Sequence, residues 1–201
     1  MGARASEPAR RHRSASETRR HVLEVTDGLF YAAGIHATGI DQVARDAGVA
    51  PTALYRIFGS KDGLVAAYVE HADQRMRTWF DAAATDAAPG EDAIRAVFDA
   101  LSETTREAEF RGCACQLALA EFPDPATPAH RLSTTAKQWV VDRFLDLLAP
   151  VETAEERKRP AAESLALLVE GTLASAGALG ADGPARQAGP LADLVLQSLH
   201  Q

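Results

Sequence analysis

The sequence predicts an all-α protein of about nine helices, in which a small three-helix unit near the N-terminus precedes a larger helical body. Apolar residues recur along most of the chain with the three-to-four-residue period of an amphipathic helix. Beyond residue 60, no segment alternates with the period of two that a half-buried strand requires. Glycine and proline residues divide the periodic segments into lengths that are typical of helices.

The first helix of the three-helix unit is predicted to begin at Ser16, which can cap it, and to end at Gly34. Its apolar residues run from Val22 to Ala33 at helical spacing. Gly28 lies inside this helix at a cost of roughly 1 kcal/mol relative to alanine. We expect this helix to form the core that holds the next two helices.

The stretch from residue 38 to residue 61 predicts two short helices joined by a tight turn. Thr38 and Asp41 match a capping box, which places the first of them from about residue 39 to residue 46. Gly48 can adopt the left-handed conformation that follows a helix end. Pro51 suits the first turn of the second helix. The apolar residues of this second helix that face inward are Leu54, Ile57 and Phe58.

Two short helices with a glycine turn, the second carrying small and hydrogen-bonding side chains outward, form the geometry of a helix-turn-helix. The stretch closely resembles the TetR-type (tetracycline repressor-like) family of bacterial regulators, over roughly a quarter of the chain. It departs from the family at Ala50, where a serine usually caps the second helix. The resemblance is carried by Phe30, Gly34, Ile40, Val43, Ala44, Ala47, Gly48, Val49, Leu54, Tyr55, Phe58, Ser60, Lys61 and Leu64.

The second short helix is therefore expected to enter the major groove of DNA. Thr52 and Arg56 can contact base edges, and the methyl group of Ala53 can meet a thymine methyl. The resemblance implies phosphate contacts at four further positions. These are Thr38, Gln42, Tyr55 and Lys61.

The charge of the chain is divided unevenly. The net charge is −7, but residues 1–63 hold nine Lys and Arg against seven Asp and Glu, whereas residues 64–201 hold twelve against twenty-one. This distribution fits a DNA-binding end on an acidic body. Residues 1–15 are rich in arginine and lack apolar periodicity, so we expect a disordered arm. This arm either is a solvated tail without a partner or adds DNA contacts together with the start of the first helix, through Arg10, Arg11, Arg13, Arg19 and Arg20.

We divide the rest of the chain into a DNA-binding domain at 16–63 and a ligand-binding and dimerisation domain at 64–201. A long helix from about residue 60 to residue 84 links the two. The last two helices, at about 155–179 and 184–199, are rich in apolar and small residues, and Pro190 is expected to kink the second. The resemblance implies that they pair with those of a second subunit in a four-helix bundle. The alternative is a buried helix in a monomer.

A homodimer has a mechanical purpose, since one recognition helix contacts few base pairs and two copies can read a palindrome. In the TetR family, ligand binding in the body shifts the population toward a conformation whose recognition helices no longer fit successive grooves. We therefore expect a ligand-responsive transcriptional regulator, in the first place a repressor, that binds palindromic operator DNA as a homodimer and is released by its ligand.

The body is expected to hold a site for a small apolar or aromatic ligand between its helices. Aromatic residues at helical spacing are more often part of the core, which is the alternative for each of them. Residues 111–125 resemble a stretch in a subset of TetR-like regulators, where a Gly-Cys pair opens a short helix beside the ligand cavity. Cys113 is then either a sensor thiol with a lowered pKa or an inert buried thiol. The candidate ligand-binding residues are Trp79, Phe80, Phe98, Phe110, Cys113, Gln116, Trp139 and Phe144.

Other classes of protein have little support in the sequence. The two cysteines are too close together for a comfortable disulfide and too few for a zinc site, and no cofactor motif is present. We find no di-iron pair, phosphate-binding loop or nucleophile elbow, which argues against a helical enzyme. Without a run of about 18 apolar residues or a signal-peptide core, a cytoplasmic protein is expected. A DNA-binding regulator without a small ligand remains the alternative.

Overall fold

The computed structural model describes residues 14–201, and within them the chain forms nine α-helices and one short 3-10 helix at Pro184–Gln187. This confirms the predicted all-α class. Residues 1–13, including Arg10, Arg11 and Arg13 of the expected arm, lie outside the described residues. The α-helices are α1 (Ala15–Ala33), α2 (Ile40–Asp46), α3 (Pro51–Phe58), α4 (Lys61–Thr85), α5 (Glu91–Thr104), α6 (Ala114–Glu121), α7 (Pro128–Leu148), α8 (Glu155–Leu179) and α9 (Ala188–Ser198).

The start of α1 differs from the prediction. Ser14, not Ser16, is the N-cap, and it forms a reciprocal capping box with Glu17. The helix ends as expected at Gly34, whose φ of 96° favours glycine. The prediction chose the wrong serine because both precede the same apolar pattern, and only Ser14 has a glutamate three residues later.

The predicted capping box at Thr38 and Asp41 is wrong. Gly39 is the N-cap of α2, and within the described part of the chain no side chain caps that helix. Thr38 is fully buried, and its hydroxyl donates a 2.8 Å hydrogen bond to the carbonyl oxygen of Gly34. A threonine hydroxyl satisfies whichever backbone group lies within reach. Here it satisfies a carbonyl left unpaired at the end of α1, and so cannot cap α2.

Helix α3 begins as the sequence predicts. Ala50 is its N-cap, Pro51 opens its first turn, and no side chain among residues 14–201 caps it. Ser60 then caps α4 by accepting a 3.0 Å hydrogen bond from the amide of Gly63. The backbone at Gly63 lies so close to α3 that an added Cβ would stand 2.0 Å from the carbonyl oxygen of Phe58. Glycine is therefore required where α3 turns into α4.

Two hydrophobic cores lie along the length of α4. One is formed by α1, α2, α3 and the first half of α4, and it also includes residues of α6 and α7 such as Cys115 and Ala136. The other joins the second half of α4 to α5, α7, α8 and α9 around Phe80 and Phe144. Because α6 packs into the first core, the three N-terminal helices are not packed alone. The division at residue 63 stays a prediction.

Three further segments differ from expectation. Apolar residues at helical spacing predict a helix from about residue 91 to residue 109, but α5 ends at Thr104. Pro190 is the third residue of α9, where an amide has no partner within the helix, so this proline belongs to the first turn instead of kinking the helix. Helix α8 is long and apolar enough to cross a membrane by length and composition, contrary to the expectation that no segment is. Since core helices pass the same test and α8 contributes Leu165 and Val169 to a core, this is weak evidence for a span.

Alanine in place of Gly63 is expected to destabilise the protein by about 1–3 kcal/mol, because the added methyl group forces α3 away from α4. Alanine in place of Gly28 is the matched control, since that glycine is exposed in α1 and an added Cβ meets nothing within 4 Å. This second variant should gain up to about 1 kcal/mol. Denaturant unfolding followed by circular dichroism measures both, and equal shifts in one direction would contradict the described junction.

Candidate functional site

Helix α3 presents a polar face to solvent. Leu54 is completely buried and anchors the helix, while Thr52, Tyr55 and Arg56 are exposed. Tyr55 is 53% exposed and is one of the large hydrophobic residues left on the surface of residues 14–201. Ala53 is half-buried at the edge of this face. The exposed residues match the types that contact base edges and phosphates.

The remaining predicted DNA contacts lie around α3 with different exposures. Gln42 on α2 and Lys61 at the start of α4 are half-buried. The Lys61 amine donates to the carbonyl oxygen of His36 over 3.4 Å, a long hydrogen bond that a phosphate can replace. Arg19 lies over the Phe58 ring, 5.5 Å from its centroid. Thr38 is buried with its hydroxyl occupied, so its side chain is not available to DNA in this conformation.

The last residue of α6 holds the connection between α1 and α2. The Glu121 carboxylate accepts hydrogen bonds from the amides of Ile35 and His36, at 2.7 and 2.6 Å, and from the His36 ring at 2.9 Å. Partial burial opposes ionisation of this carboxyl, but the hydrogen bonds outweigh burial and lower the pKa of Glu121. We call these contacts the Glu121 clamp.

The segment before α6 holds the end of α1 as well. The Tyr31 hydroxyl donates to the carbonyl oxygen of Gly112 over 2.9 Å and accepts from the amide of Arg111 over 2.7 Å. The Arg111 guanidinium donates to the carbonyl oxygens of Tyr31 and Ala32. An ion pair joins Arg75 of α4 to Asp27 of α1. Both ends of residues 111–121 are therefore fixed to the N-terminal helices.

A cavity of about 360 Å³ lies between α4, α5, α7, α8 and the segment that leads into α6. This volume is in the range of small-molecule sites. Its apolar wall consists of Ala72, Met76, Trp79, Leu101, Phe110, Ala114, Ala136, Val140, Val169 and Leu173. The remaining lining residues are Tyr31, Arg75, Thr104, Glu107, Glu109, Gly112, Cys113, Cys115, Lys137 and Glu170.

Three of the predicted ligand-binding residues line this cavity: Trp79, Phe110 and Cys113. In the core, Phe144 instead stacks on Phe98 and meets Phe80 edge to face. Trp139 packs against Phe80, with the Arg77 guanidinium over its ring. Gln116 lies behind the wall and donates to Glu170. Helical spacing marks aromatic residues as inward-facing, but it does not separate those of a core from those of a cavity.

A polar network occupies one side of the cavity. The Lys137 amine donates to the Cys113 sulfur over 3.1 Å and lies 2.9 Å from the Glu170 carboxylate. Gln116 donates to that carboxylate over 2.7 Å. Sequence reasoning missed Lys137 and Glu170. The available signal was their position, since each is a charged residue on the inward side of a helix, and Glu170 interrupts an apolar run.

The Cys113 thiol ionises more readily than an ordinary cysteine. A hydrogen bond with the Cys115 thiol and the nearby Lys137 ammonium lower the pKa of Cys113, against the opposing effect of burial. Burial opposes protonation of Lys137, but the thiolate and Glu170 outweigh it and raise the pKa of the amine. Both shifts favour the thiolate form of Cys113 and the ammonium form of Lys137, which is the charge state that the sensor interpretation of Cys113 requires.

The described residues contain no group of three His, Cys, Asp or Glu that could hold a metal ion. A helix-turn-helix with an exposed second helix, joined to a helical body with a cavity, defines the class of ligand-responsive DNA-binding regulators. The profile of the family described as "Bacterial regulatory proteins, tetR family" matches residues 22–68.

Comparisons over nearly the whole chain identify the family. A TetR-family transcriptional regulator from Streptomyces coelicolor is 33% identical, covers 92% of this chain and 97% of its own, and superposes with a TM-score of 0.86. A putative TetR transcriptional regulator from Streptomyces avermitilis is 25% identical, with coverage of 92% and 98% and a TM-score of 0.80. The HTH-type transcriptional regulator YjdC of Escherichia coli is 26% identical over 77% of this chain and 81% of that protein.

The chain belongs to the TetR family of transcriptional regulators. Members of this family are DNA-binding proteins, typically repressors with a ligand-binding C-terminal domain, and they are not enzymes. They typically act as dimers and are soluble cytosolic proteins. The predicted family, fold class and general function are confirmed.

Replacing Glu121 with glutamine is expected to lower the free energy of unfolding by about 1–2 kcal/mol near neutral pH, because a charged acceptor of several hydrogen bonds is lost. The folded-state pKa of Glu121 is lowered, so its contribution is complete above the unfolded-state pKa of about 4.3 and disappears as the pH falls through the folded-state value.

Denaturant unfolding at a series of pH values measures this effect. The difference between wild type and Glu121→Gln should shrink below about pH 4. Glu103→Gln, at an exposed position on α5, is the matched control and should change stability little. A difference that is independent of pH would show that the clamp does not act through the carboxylate.

Proposed function

We propose that this regulator represses transcription by binding a palindromic operator as a homodimer through α3, and that a small molecule in the cavity of the body releases it. The observation that carries the proposal is the outward face of α3, anchored by buried Leu54 and presenting Thr52, Tyr55 and Arg56. The effector is an apolar or aromatic molecule, in keeping with the wall of the cavity.

On the DNA side, Thr52 and Arg56 read base edges and Ala53 meets a thymine methyl. Tyr55, Lys61 and Gln42 contact phosphates and fix the register of the helix. The exposure of Tyr55 and the long Lys61 hydrogen bond support these roles. Thr38 supports the surface from inside, through its bond to Gly34, in place of the phosphate contact that the resemblance implies.

The dimer forms through α8 and α9. Leu167 on α8 is 72% exposed and Leu194 on α9 is 59% exposed, and both lie opposite the buried faces of their helices. Large apolar residues grouped on a surface mark an interface. Along α8 the small exposed residues Gly171, Ala174 and Ala178 continue the stripe that begins at Leu167, so another helix can approach closely. A twofold axis brings the same stripe of a second copy against it.

The two functional regions correspond to residues 16–63 and 64–201, and residues 111–121 connect them. One end of this segment lines the cavity at Cys113, while its other end is the Glu121 clamp on the residues before α2. A ligand that binds one arrangement of this segment more tightly than another shifts the population of both regions. Helix α4 passes through both cores and carries the same change to the junction where α3 ends and α4 begins.

A regulator that acts without a small ligand is the second candidate. This candidate would be favoured if side chains filled the space between the helices of the body. A cavity of about 360 Å³ with both apolar and polar lining favours the ligand-responsive interpretation instead.

Arg56→Ala is expected to weaken operator binding by about 1–3 kcal/mol and to relax the base preference at one position in each half-site. Tyr55→Ala should weaken binding to all sequences alike, since phosphate contacts carry no base information. Mobility shifts over a salt series measure both losses of affinity. The DNA is taken from upstream of the protein's own gene or selected for binding from a pool of genomic fragments. Arg106→Ala removes an exposed arginine beyond α5 and should change nothing. Equal losses in all three variants would contradict the assignment of α3.

Leu167→Glu and Leu194→Glu are each expected to convert the dimer to a monomer, because two like charges would be buried at a twofold interface. Ala82→Glu places the same charge on an exposed part of α4 and should leave the dimer intact. Sedimentation velocity measures the mass of each variant. An unchanged dimer in both leucine variants would place the interface elsewhere.

A further inference from the structure

We propose that Cys113 captures soft electrophiles covalently in this cavity, as a thioether formed with an activated carbon–carbon double bond such as that of a quinone or an α,β-unsaturated carbonyl. The inference rests on the proposed function, since it names the chemical class of the effector. The residues proposed to contact DNA stay the same.

The nucleophile, Cys113, lies in a site whose side chains hold one another in place. Cys113 lines the cavity, and the Lys137 amine lies 3.1 Å from its sulfur. Glu170 holds that amine from the other side at 2.9 Å, and Gln116 holds Glu170 in turn. The ammonium group is therefore fixed beside the sulfur by contacts from two other elements of the fold.

The charged pair is costly in an apolar cavity. Burying an ion pair next to Trp79, Met76 and Val140 stabilises the fold little or not at all relative to apolar side chains of the same volume. An apolar ligand that binds without reaction would be held as well by an apolar wall. A thiolate beside a fixed cation is instead the arrangement that activates a cysteine as a nucleophile.

The reaction balances without an oxidant or a metal. A lone pair of the Cys113 thiolate forms the bond from sulfur to the β-carbon of the acceptor, and the π electrons of the double bond move to the carbonyl oxygen. The Lys137 ammonium stabilises the resulting enolate. The enolate then takes a proton from water or from Lys137, which water reprotonates. The product is the sum of the protein thiol and the acceptor.

The position of Cys113 connects the adduct to DNA binding. Cys113 is the N-cap residue of α6, and the Glu121 clamp is at the other end of the same eight-residue helix. The backbone of residues 111–112 also packs closely on α8, where a Cβ added to Gly177 would stand 3.0 Å from the Arg111 carbonyl oxygen. An adduct at Cys113 therefore changes the position of a segment that α1 and α8 both hold.

The chemical arm of the test treats the full-length protein with N-ethylmaleimide, a soft Michael acceptor, and follows adducts by intact mass and peptide mapping. We expect modification of Cys113 before Cys115, at a rate that changes less than about twofold between pH 7 and pH 8. The modification rate of an unperturbed thiol, with a pKa of about 8.5, would increase roughly eightfold over that interval. Lys137→Met should restore part of the increase with pH, and Lys137→Arg should keep the flat profile.

The functional arm measures operator binding of the same samples. The adduct should weaken binding at least tenfold in wild type and in Cys115→Ser, whereas Cys113→Ser should stay bound after treatment. Circular dichroism and thermal unfolding check that each variant is folded. If Cys113→Ser is not folded, operator binding by Cys115→Ser with and without the adduct decides the test. First modification at Cys115, a rate that rises with pH like that of a free thiol, or unchanged DNA binding by the Cys113 adduct would each overturn the inference.

The two proposals fail separately. If untreated wild type shows no preference for any DNA sequence, the proposed function is wrong whatever the thiol does. If untreated wild type binds its operator specifically and Cys113 fails either arm, the regulator stands and the covalent effector is wrong.

Discussion

The arrangement of the molecule depends on the carboxylate of Glu121, which binds the two amides that follow α1. These amides belong to the connection that places α2, so the last residue of α6 determines where the helix-turn-helix stands relative to the body. Tyr31 and Arg111 hold the other end of the same segment. The N-terminal helices and α6 consequently share one hydrophobic core instead of meeting across a thin interface. In the proposed mechanism, this continuity carries a change at the cavity to α3 through packed elements.

The cavity combines two features that seldom occur together without a function. Its wall is largely apolar, yet it contains an amine that contacts both a cysteine sulfur and a carboxylate. Each charge has a partner, which is the condition under which ions remain in a protein interior. In the neighbouring core, the rings of Phe80 and Phe144 instead contact each other edge to face, with centroids 5.2 Å apart. The difference between these adjacent regions is the physical distinction between a binding site and packing.

The sequence predicts the fold class and the position of α3 well because both depend on local patterns. The spacing of Leu54 and Tyr55, and the absence of a cap at Ala50, can be read without tertiary contacts. Thr38 misled the prediction because its hydroxyl can satisfy either of two backbone partners, and only the fold decides which. The cavity was harder to predict, since Lys137 and Glu170 are 33 residues apart and their contact with Cys113 exists only after α6, α7 and α8 pack together.

Hydrogen exchange at the amides of Ile35 and His36 tests most directly whether the Glu121 clamp couples the cavity to the DNA-binding helices. It would be followed by mass spectrometry on the free protein and on protein with N-ethylmaleimide at Cys113, using Cys113→Ser treated in the same way as the reference. The account predicts faster exchange at these two amides in the adduct, with the buried face of α5 unchanged. Identical exchange at both amides in a protein that has released its DNA would contradict coupling through the clamp.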